Sequence, residues 1–351
     1  MTEDTTFLSG GCGNGGVAAV SHLPPEHASP IDAGKCCEVA FETRRRRFDT
    51  APQRRWCQMP HHAAMGFKMT HALKTHQNQY DVAAMLANCR QYWLNYSQAP
   101  HSDGPIAVYR TGVPHHQLNG VIHMSAASTD EIREVVSQLK DLPSVWWVGP
   151  DSYPTAAEDV INAGAKLSAT LPVMAIQLQN LAPRPTPSPH WTIVRLQEGA
   201  ALFPWVQSYS ESVGARKEDI ATMLRVEQNR SDAPGQLTRF AAFSDGEIVG
   251  TSELFVHEGI AGIYLVSTKK SHRCRGIGTA LTHAACMAGR ELGLDVATLQ
   301  ASSSGYPIYK KLGFEDVASY DLLTFDTAEV LEEGGSVAAA PCPEPTTSFF
   351  G

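Results

Sequence analysis

The 351-residue chain contains no CxxC pair, and no histidine stands at zinc-finger spacing from any of its eight cysteines: Cys12, Cys36, Cys37, Cys57, Cys89, Cys274, Cys286 and Cys342. Neither a metal site nor a disulfide framework is expected, and Cys286 falls where a helix takes a small apolar residue. No apolar run approaches the length that crosses a bilayer. The first residues also lack the apolar stretch and small-residue cleavage site of a secretory signal. A soluble, cytoplasmic protein without a membrane partner is the expectation. Positive charge is the scarcer sign, with 28 Lys/Arg against 36 Asp/Glu. The first 65 residues are balanced, so the net charge of −8 lies in the remainder. An acidic body speaks against a nucleic-acid partner and weakly for a cationic substrate.

What is present suits a globular protein of two domains. Hydrophobic residues make up 43% and charged residues 18% of a length sufficient for two cores. Residues 1–65 mix glycine- and proline-containing pieces with the run Arg44 to Arg47 and keep no period, which predicts a disordered extension. Met65 and Met69 precede the first periodic segment, so a start of translation there is one reading and residues 1–64 an upstream addition.

From Tyr80 to Tyr96, Val82, Met85, Leu86, Cys89 and Trp93 recur at helical spacing. Strands are expected at Ile106 to Tyr109, Gly120 to Met124 and Val145 to Val148. A helix opens on the capping box Ser128 to Glu131, and another runs from Pro154 to a Gly164 cap, followed by a strand from Leu167 to Leu178. Trp146 and Trp147 read as core residues, with a ligand-stacking role as the alternative. Proline at every second position from Pro183 to Pro189 stiffens the chain and marks a linker between a module at 66–182 and another at 190–326. The tail 327–351 is expected to be disordered.

Beyond the linker come a strand at Trp191 to Leu196, helices at Ala200 to Ser212 and Lys217 to Asn229, and a hairpin. In the hairpin, Arg239 to Ser244 and Glu247 to Val256 flank the turn dipeptide Asp245-Gly246. A strand from Gly262 to Thr268 then leads into Arg273-Cys274-Arg275-Gly276-Ile277-Gly278-Thr279, directly before a helix with Leu281, Ala284, Ala285, Ala288 and Leu292 on one stripe. Free amides at a helix N-terminus attract phosphate, the glycines let backbone approach an anion, and Arg273 and Arg275 add charge. A Walker loop would end in Gly-Lys-Ser/Thr, and a dinucleotide fingerprint would carry a third glycine. Neither is present, and RxxGxG taken alone leaves the diphosphate open.

Downstream stands Leu299-Gln300-Ala301-Ser302-Ser303-Ser304-Gly305-Tyr306-Pro307-Ile308-Tyr309-Lys310-Lys311-Leu312-Gly313-Phe314. Together the two motifs resemble the GNAT acyltransferase superfamily, over about 135 residues. The resemblance implies a mixed α/β (α+β) fold with a mostly antiparallel sheet flanked by helices, and an N-acetyltransferase that uses acetyl-CoA and no metal. The acceptor it implies is a primary amine on a small molecule or peptide, attacking directly in a ternary complex. By it, Arg273, Cys274, Arg275, Gly276, Ile277, Gly278 and Thr279 hold the coenzyme A pyrophosphate, and Val266 and Thr268 are backbone partners of the pantetheine arm. Ser302 stands where many members have Asn and Gly305 where they have Ala. Tyr309 matches the tyrosine that protonates the departing thiolate, with a core aromatic as the alternative role.

No carboxylate lies on the strand from Ile260 to Thr268, a departure from members with a Glu there. Glu253, His257 and a water chain stay open as the general base. The module at 66–182 repeats the order of the last part of the same fold without RxxGxG, so it is either a tandem copy that lost cofactor binding or an unrelated α/β domain. A non-catalytic CoA-binding sensor is the alternative to the enzyme, a nucleotide-binding protein a third reading, and the oligomeric state is expected to be monomer or homodimer.

Overall fold

The computed structural model describes residues 79–97, 104–197, 199 and 201–325. The expected extension at 1–65 and tail at 327–351 lie outside the described residues. The chain gives helix α1 (Val82–Leu94), β1 (Ile106–Arg110), β2 (Asn119–Met124), α2 (Thr129–Leu139), β3 (Val145–Val148), α3 (Ala156–Asn162) and β4 (Lys166–Gln177). After the proline-rich segment follow β5 (Thr192–Arg195), α4 (Leu202–Val213), α5 (Ile220–Gln228), β6 (Leu237–Ser244), β7 (Glu247–His257) and β8 (Ile260–Thr268). The run ends with α6 (Ile277–Glu291), β9 (Val296–Gln300), α7 (Tyr306–Leu312) and β10 (Glu315–Thr324). The helix expected to open at Pro154 begins at Ala156, because Tyr153 and Thr155 first form the turn whose carbonyls accept the Ala156 and Asp159 amides.

All ten strands belong to one sheet, in the order β1-β2-β3-β10-β4-β9-β8-β7-β6-β5. It is mostly antiparallel, with parallel neighbours only at β2–β3 and β8–β9. Each parallel pair is joined by a crossover helix, α2 or α6, as parallel strands require. The unit strand–helix–parallel strand–helix–strand thus occurs twice, and the two copies exchange their last strands. β4 follows β3 in sequence yet pairs with β9, while β10 follows β9 yet pairs with β3, and β4 and β10 pair with each other over most of their length. The Pro183 to Pro189 segment is irregular and links β4 to β5, two strands of this same sheet.

The two faces carry different cores. One face meets α6 and α7 through Leu281, Ala285, Cys286, Leu299, Tyr309 and Phe314, and α2 and α3 through Ile132, Val135 and Val160. The opposite face is filled by α1, whose Met85, Leu86, Cys89, Tyr92 and Trp93 are all buried, together with α4 and α5. At about 1.5–3 kcal/mol for each large side chain taken from water, α1 is held by these residues and not by its isolated helical tendency. The tight turn between β6 and β7 is made as the sequence dictates, with Asp245 at φ 51° and Gly246 at φ 82°, both positive as a type I′ turn needs.

Candidate active site

The glycine loop opens at the end of β8. Lys269 donates its amide to the Val249 carbonyl, a single 3-10 turn spans Lys270–His272, and Arg273 Nε donates to the Thr268 carbonyl at 3.3 Å. Gly276 then caps α6 with φ 79°, and no side chain caps this helix end. A methyl group at Gly278 would meet no protein atom closer than 3.7 Å. The fold itself therefore does not demand glycine at 278; the open space belongs to whatever approaches the uncapped amides. Arg273 and Arg275 are exposed beside it. Unpaired amides, the positive end of the helix dipole and two guanidiniums together make an anion cradle.

The corresponding helix of the other strand–helix–strand unit is the opposite case. At the start of α2, Ser128 Oγ accepts the Glu131 amide at 3.3 Å, while Glu131 Oε2 accepts the Ser128 amide at 2.7 Å. Asp130 and Glu131 put negative charge in its first turn. That end is closed by its own side chains and repels a phosphate, so the asymmetry between α2 and α6 selects one anion site from two similar helices.

Next to the cradle the sheet opens. β8 and β9 pair only from Ile260↔Val296 to Gly262↔Thr298, although β8 continues to Thr268 and β9 to Gln300. β8 also carries a bulge between its partners Thr251↔Ser267 and Glu253↔Tyr264, with Leu265 at φ 44° and its carbonyl accepting the Thr251 hydroxyl at 2.8 Å. The pairing break and the bulge leave a wedge walled by Tyr264 to Thr268 on one side and Gln300 to Ser302 on the other. A slender chain fits between two strands that have separated. Val266 and Thr268 stand on its β8 wall, and Thr268 Oγ1 lies near Gly278, so the wedge leads out to the loop.

Tyr309, on α7, is 7% exposed and packs 6.0 Å from the Phe314 ring. Burial first, then the neighbouring Cys286, pushes its hydroxyl pKa up, which keeps the proton on oxygen. Ser302 Oγ accepts the Gly305 amide at 3.2 Å and shapes the turn before α7. At Gly305 a methyl would come within 2.7 Å of the Tyr309 ring. The glycine in place of alanine is thus matched to where this tyrosine lies.

Glu253 is placed opposite Tyr264 on β7, on the α1 face, and its side chain is wholly buried. Tyr92 of α1 donates its hydroxyl to Glu253 Oε2 at 2.7 Å and stacks on Tyr264 at 3.7 Å between centroids. Tyr96 and Tyr209 donate to Glu227 Oε1 at 2.8 and 3.0 Å. Arg239 spans both carboxylates, with Nη2 2.6 Å from Glu227 and Nε 3.0 Å from Glu253. Arg230 lies 3.9 Å over the Tyr96 ring and is paired with Asp232 at 2.6 Å. Three carboxylates thus face two guanidiniums, and burial first, then the Glu227 charge, raises the Glu253 pKa to about 7. His257, the other candidate base, sits near the end of β7 with Nε2 3.7 Å from Glu258. The structure therefore sets the loop, Val266, Thr268 and Ser302 along one wedge, packs Tyr309 in the core beside Cys286 and Phe314, and sets Glu253 one strand away, beside Tyr92 and Tyr264. Sequence reasoning missed the α1 residues of this cluster. Their signal was the polar series Asn88, Tyr92 and Tyr96, four residues apart on the stripe that also carries Met85 and Cys89.

The mostly antiparallel sheet thus has one splayed parallel pair with an uncapped, basic helix start beside the splay. Residues 236–316 match the family model described as "Acetyltransferase (GNAT) domain". That stretch is similar in sequence to a GNAT domain. Among solved structures, a GCN5-related N-acetyltransferase from Kribbella flavida is similar at 18% identity, over 73% of this chain and 98% of that one, with a TM-score of 0.54. That likeness concerns the fold. A GCN5-related N-acetyltransferase from Sphaerobacter thermophilus is similar over 52% of this chain and 58% of that one, at 21% identity and a TM-score of 0.43. No curated protein matches the chain in sequence. No helix among the described residues is long and apolar enough to cross a membrane.

Proposed function

We propose that the chain is an N-acetyltransferase that moves an acetyl or other short acyl group from acetyl-CoA to a primary amine by direct attack in a ternary complex. The observation that carries this reading is the uncapped α6 N-terminus with Gly276, Gly278, Arg273 and Arg275 beside the β8–β9 wedge. The residues present fit the cosubstrate: amides of 276–279 and the two guanidiniums suit a pyrophosphate, and the backbone of Val266 and Thr268 lines the way for the pantetheine arm. Acetyl-CoA supplies an acyl group activated as a thioester. Tyr309 Oη holds the proton that the leaving sulfur needs, and its raised pKa keeps that proton in place at neutral pH. Glu253, with a pKa raised into the neutral range, is the proposed base. In this arrangement Tyr92 and Tyr264 separate it from the wedge, so the amine proton reaches it through their hydroxyls or a water.

The test is release of free thiol from acetyl-CoA across a panel of primary amines, for the native protein and for Tyr309→Phe. A general acid contributes about 10²–10⁴-fold. We expect the substitution to lower kcat by at least about 10²-fold and to change the Kd for acetyl-CoA by less than threefold. Tight binding of acetyl-CoA without turnover of any amine, and with no effect of Tyr309→Phe, would leave a CoA-binding sensor as the correct reading. Preference for ATP or NAD over CoA in a thermal-shift comparison would overturn both.

A further inference from the structure

The two glycines of the cradle look to opposite sides. A methyl group at Gly278 would meet Ile308 Cδ1 at 3.7 Å and Thr268 Oγ1 at 3.9 Å, which is the side of the wedge. One at Gly276 would meet a single neighbour, Trp191 Cζ2, at 4.0 Å. Trp191 stands immediately before β5 and packs with Ile193 on the face that carries α6, as alternation along a strand requires. The backbone on both sides of it is tied down. The Ser244 hydroxyl donates to the His190 carbonyl at 2.9 Å, the His190 amide donates to Ser188 Oγ at 3.1 Å, and Thr192 pairs with Phe243 of β6. An indole is thus held beside the uncapped start of α6, three strands from the wedge in the order β8-β7-β6-β5. At the usual strand spacing that is about 14 Å.

Core packing does not account for the whole of this ring. Trp93, Trp146, Trp147 and Trp205 are buried, and the Trp205 indole N–H donates to the Phe240 carbonyl at 2.9 Å. Trp191 is the one described tryptophan that is left half-buried. The charge next to it is of one sign: Lys269 pairs with Glu247 at 3.5 Å, while among the described residues Lys270, Arg273 and Arg275 join no ion pair. A planar aromatic with free cations beside it, on the far side of a phosphate cradle, suits a purine that carries phosphate. We propose that Trp191 is the stacking platform for the adenine of coenzyme A, taken up on the Gly276 side of the cradle while the pantetheine arm lies on the Gly278 side. The purine then distinguishes free CoA from carriers that present phosphopantetheine alone. The proposal rests on the acetyltransferase reading above, and Trp191 lies outside residues 236–316, the stretch that matches the family model.

The experiment uses the full chain, native and as Trp191→Leu and Trp191→Phe, with CoA and 4′-phosphopantetheine as ligands. Affinity is measured by calorimetry, and tryptophan emission is followed in parallel titrations. Stacking of a base on an aromatic side chain changes Kd roughly five- to hundredfold. We expect Trp191→Leu to weaken CoA by that factor and phosphopantetheine by less than about twofold, whereas Trp191→Phe, which keeps a ring, should weaken CoA by less than about threefold. CoA should quench the emission of the native protein, phosphopantetheine should not, and the quench should be lost in Trp191→Phe. Equal weakening of both ligands by Trp191→Leu would limit the indole to shaping the cradle, and unchanged CoA affinity would give it no contact at all; either result overturns the platform. If Trp191→Leu does not fold, emission decides: a CoA quench that persists in Trp191→Phe, or that is absent from the native protein, overturns it. A native protein that binds neither ligand overturns the acetyltransferase reading and the platform with it, while the other results leave that reading standing.

Discussion

Arg239 is the residue on which the buried charge cluster turns. It is the cation shared by Glu227 and Glu253, and both carboxylate side chains are fully buried. Removing one partner of a buried pair costs about 3–5 kcal/mol, since the remaining charge is left in a medium that cannot solvate it. Arg239→Met should therefore destabilise by that amount in chemical denaturation at pH 8. The sign of the pH dependence follows from Glu253, whose folded pKa lies above its unfolded value. Such a group binds its proton more readily in the folded state, so its contribution is full below the ordinary glutamate range, near 4.5, and is lost as pH rises through about 7. The deficit of Arg239→Met should accordingly be smaller at pH 5 than at pH 8. An equal deficit at both would mean that Glu253 does not take up the proton. The sequence showed Glu253 as a strand carboxylate and a candidate base but not its cluster, because its partners Tyr92, Glu227 and Arg239 are brought to it by tertiary packing.

At the scale of the element, α2 and α6 are two helices in the same topological position with opposite N-termini. Both ends were legible in the sequence: the Ser128–Glu131 box reads directly as a cap, and Gly276 with its flanking arginines reads directly as the lack of one. Function and stability should separate accordingly. Ser128→Ala should cost about 1 kcal/mol of stability and leave acetyl-CoA affinity unchanged. Arg275→Ala, at an exposed residue, should leave the melting temperature in place and weaken acetyl-CoA about tenfold, as loss of one charge-assisted contact of about 1.5 kcal/mol does. Calorimetric titration and thermal denaturation of the two variants check both halves. What the element pattern does not carry is the position of α1. Its apolar spacing predicted the helix, but not that one face of a sheet built largely from residues after 190 is closed by a helix that ends at Leu94.

For the whole molecule, strands and helices were found nearly where periodicity put them, while pairing partners other than the β6–β7 hairpin were not readable. Alternation fixes which face a residue takes; it does not say that β4 adds to β9 or that β10 adds to β3. The proline-rich segment shows the limit most clearly, since extended and donor-poor backbone marks a connection whether it joins two domains or two regions of a single sheet. One consequence is measurable. A chain cut at an engineered protease site between Pro183 and Pro189 should elute as one particle of unchanged size and melt in one transition, with the fragments parting only in denaturant. Two fragments that separate in native buffer would show that the strand exchange does not hold them.

The exchange also sets an order in time. During synthesis the first strand–helix–strand unit emerges with β3 and β4 already made, but the strand that lies between them, β10, is among the last described residues of the chain. The gap in the sheet persists until β10 itself has left the ribosome. For this chain, vectorial synthesis gives no finished first half, and both edges of the gap stay open to wrong partners until residue 324 arrives.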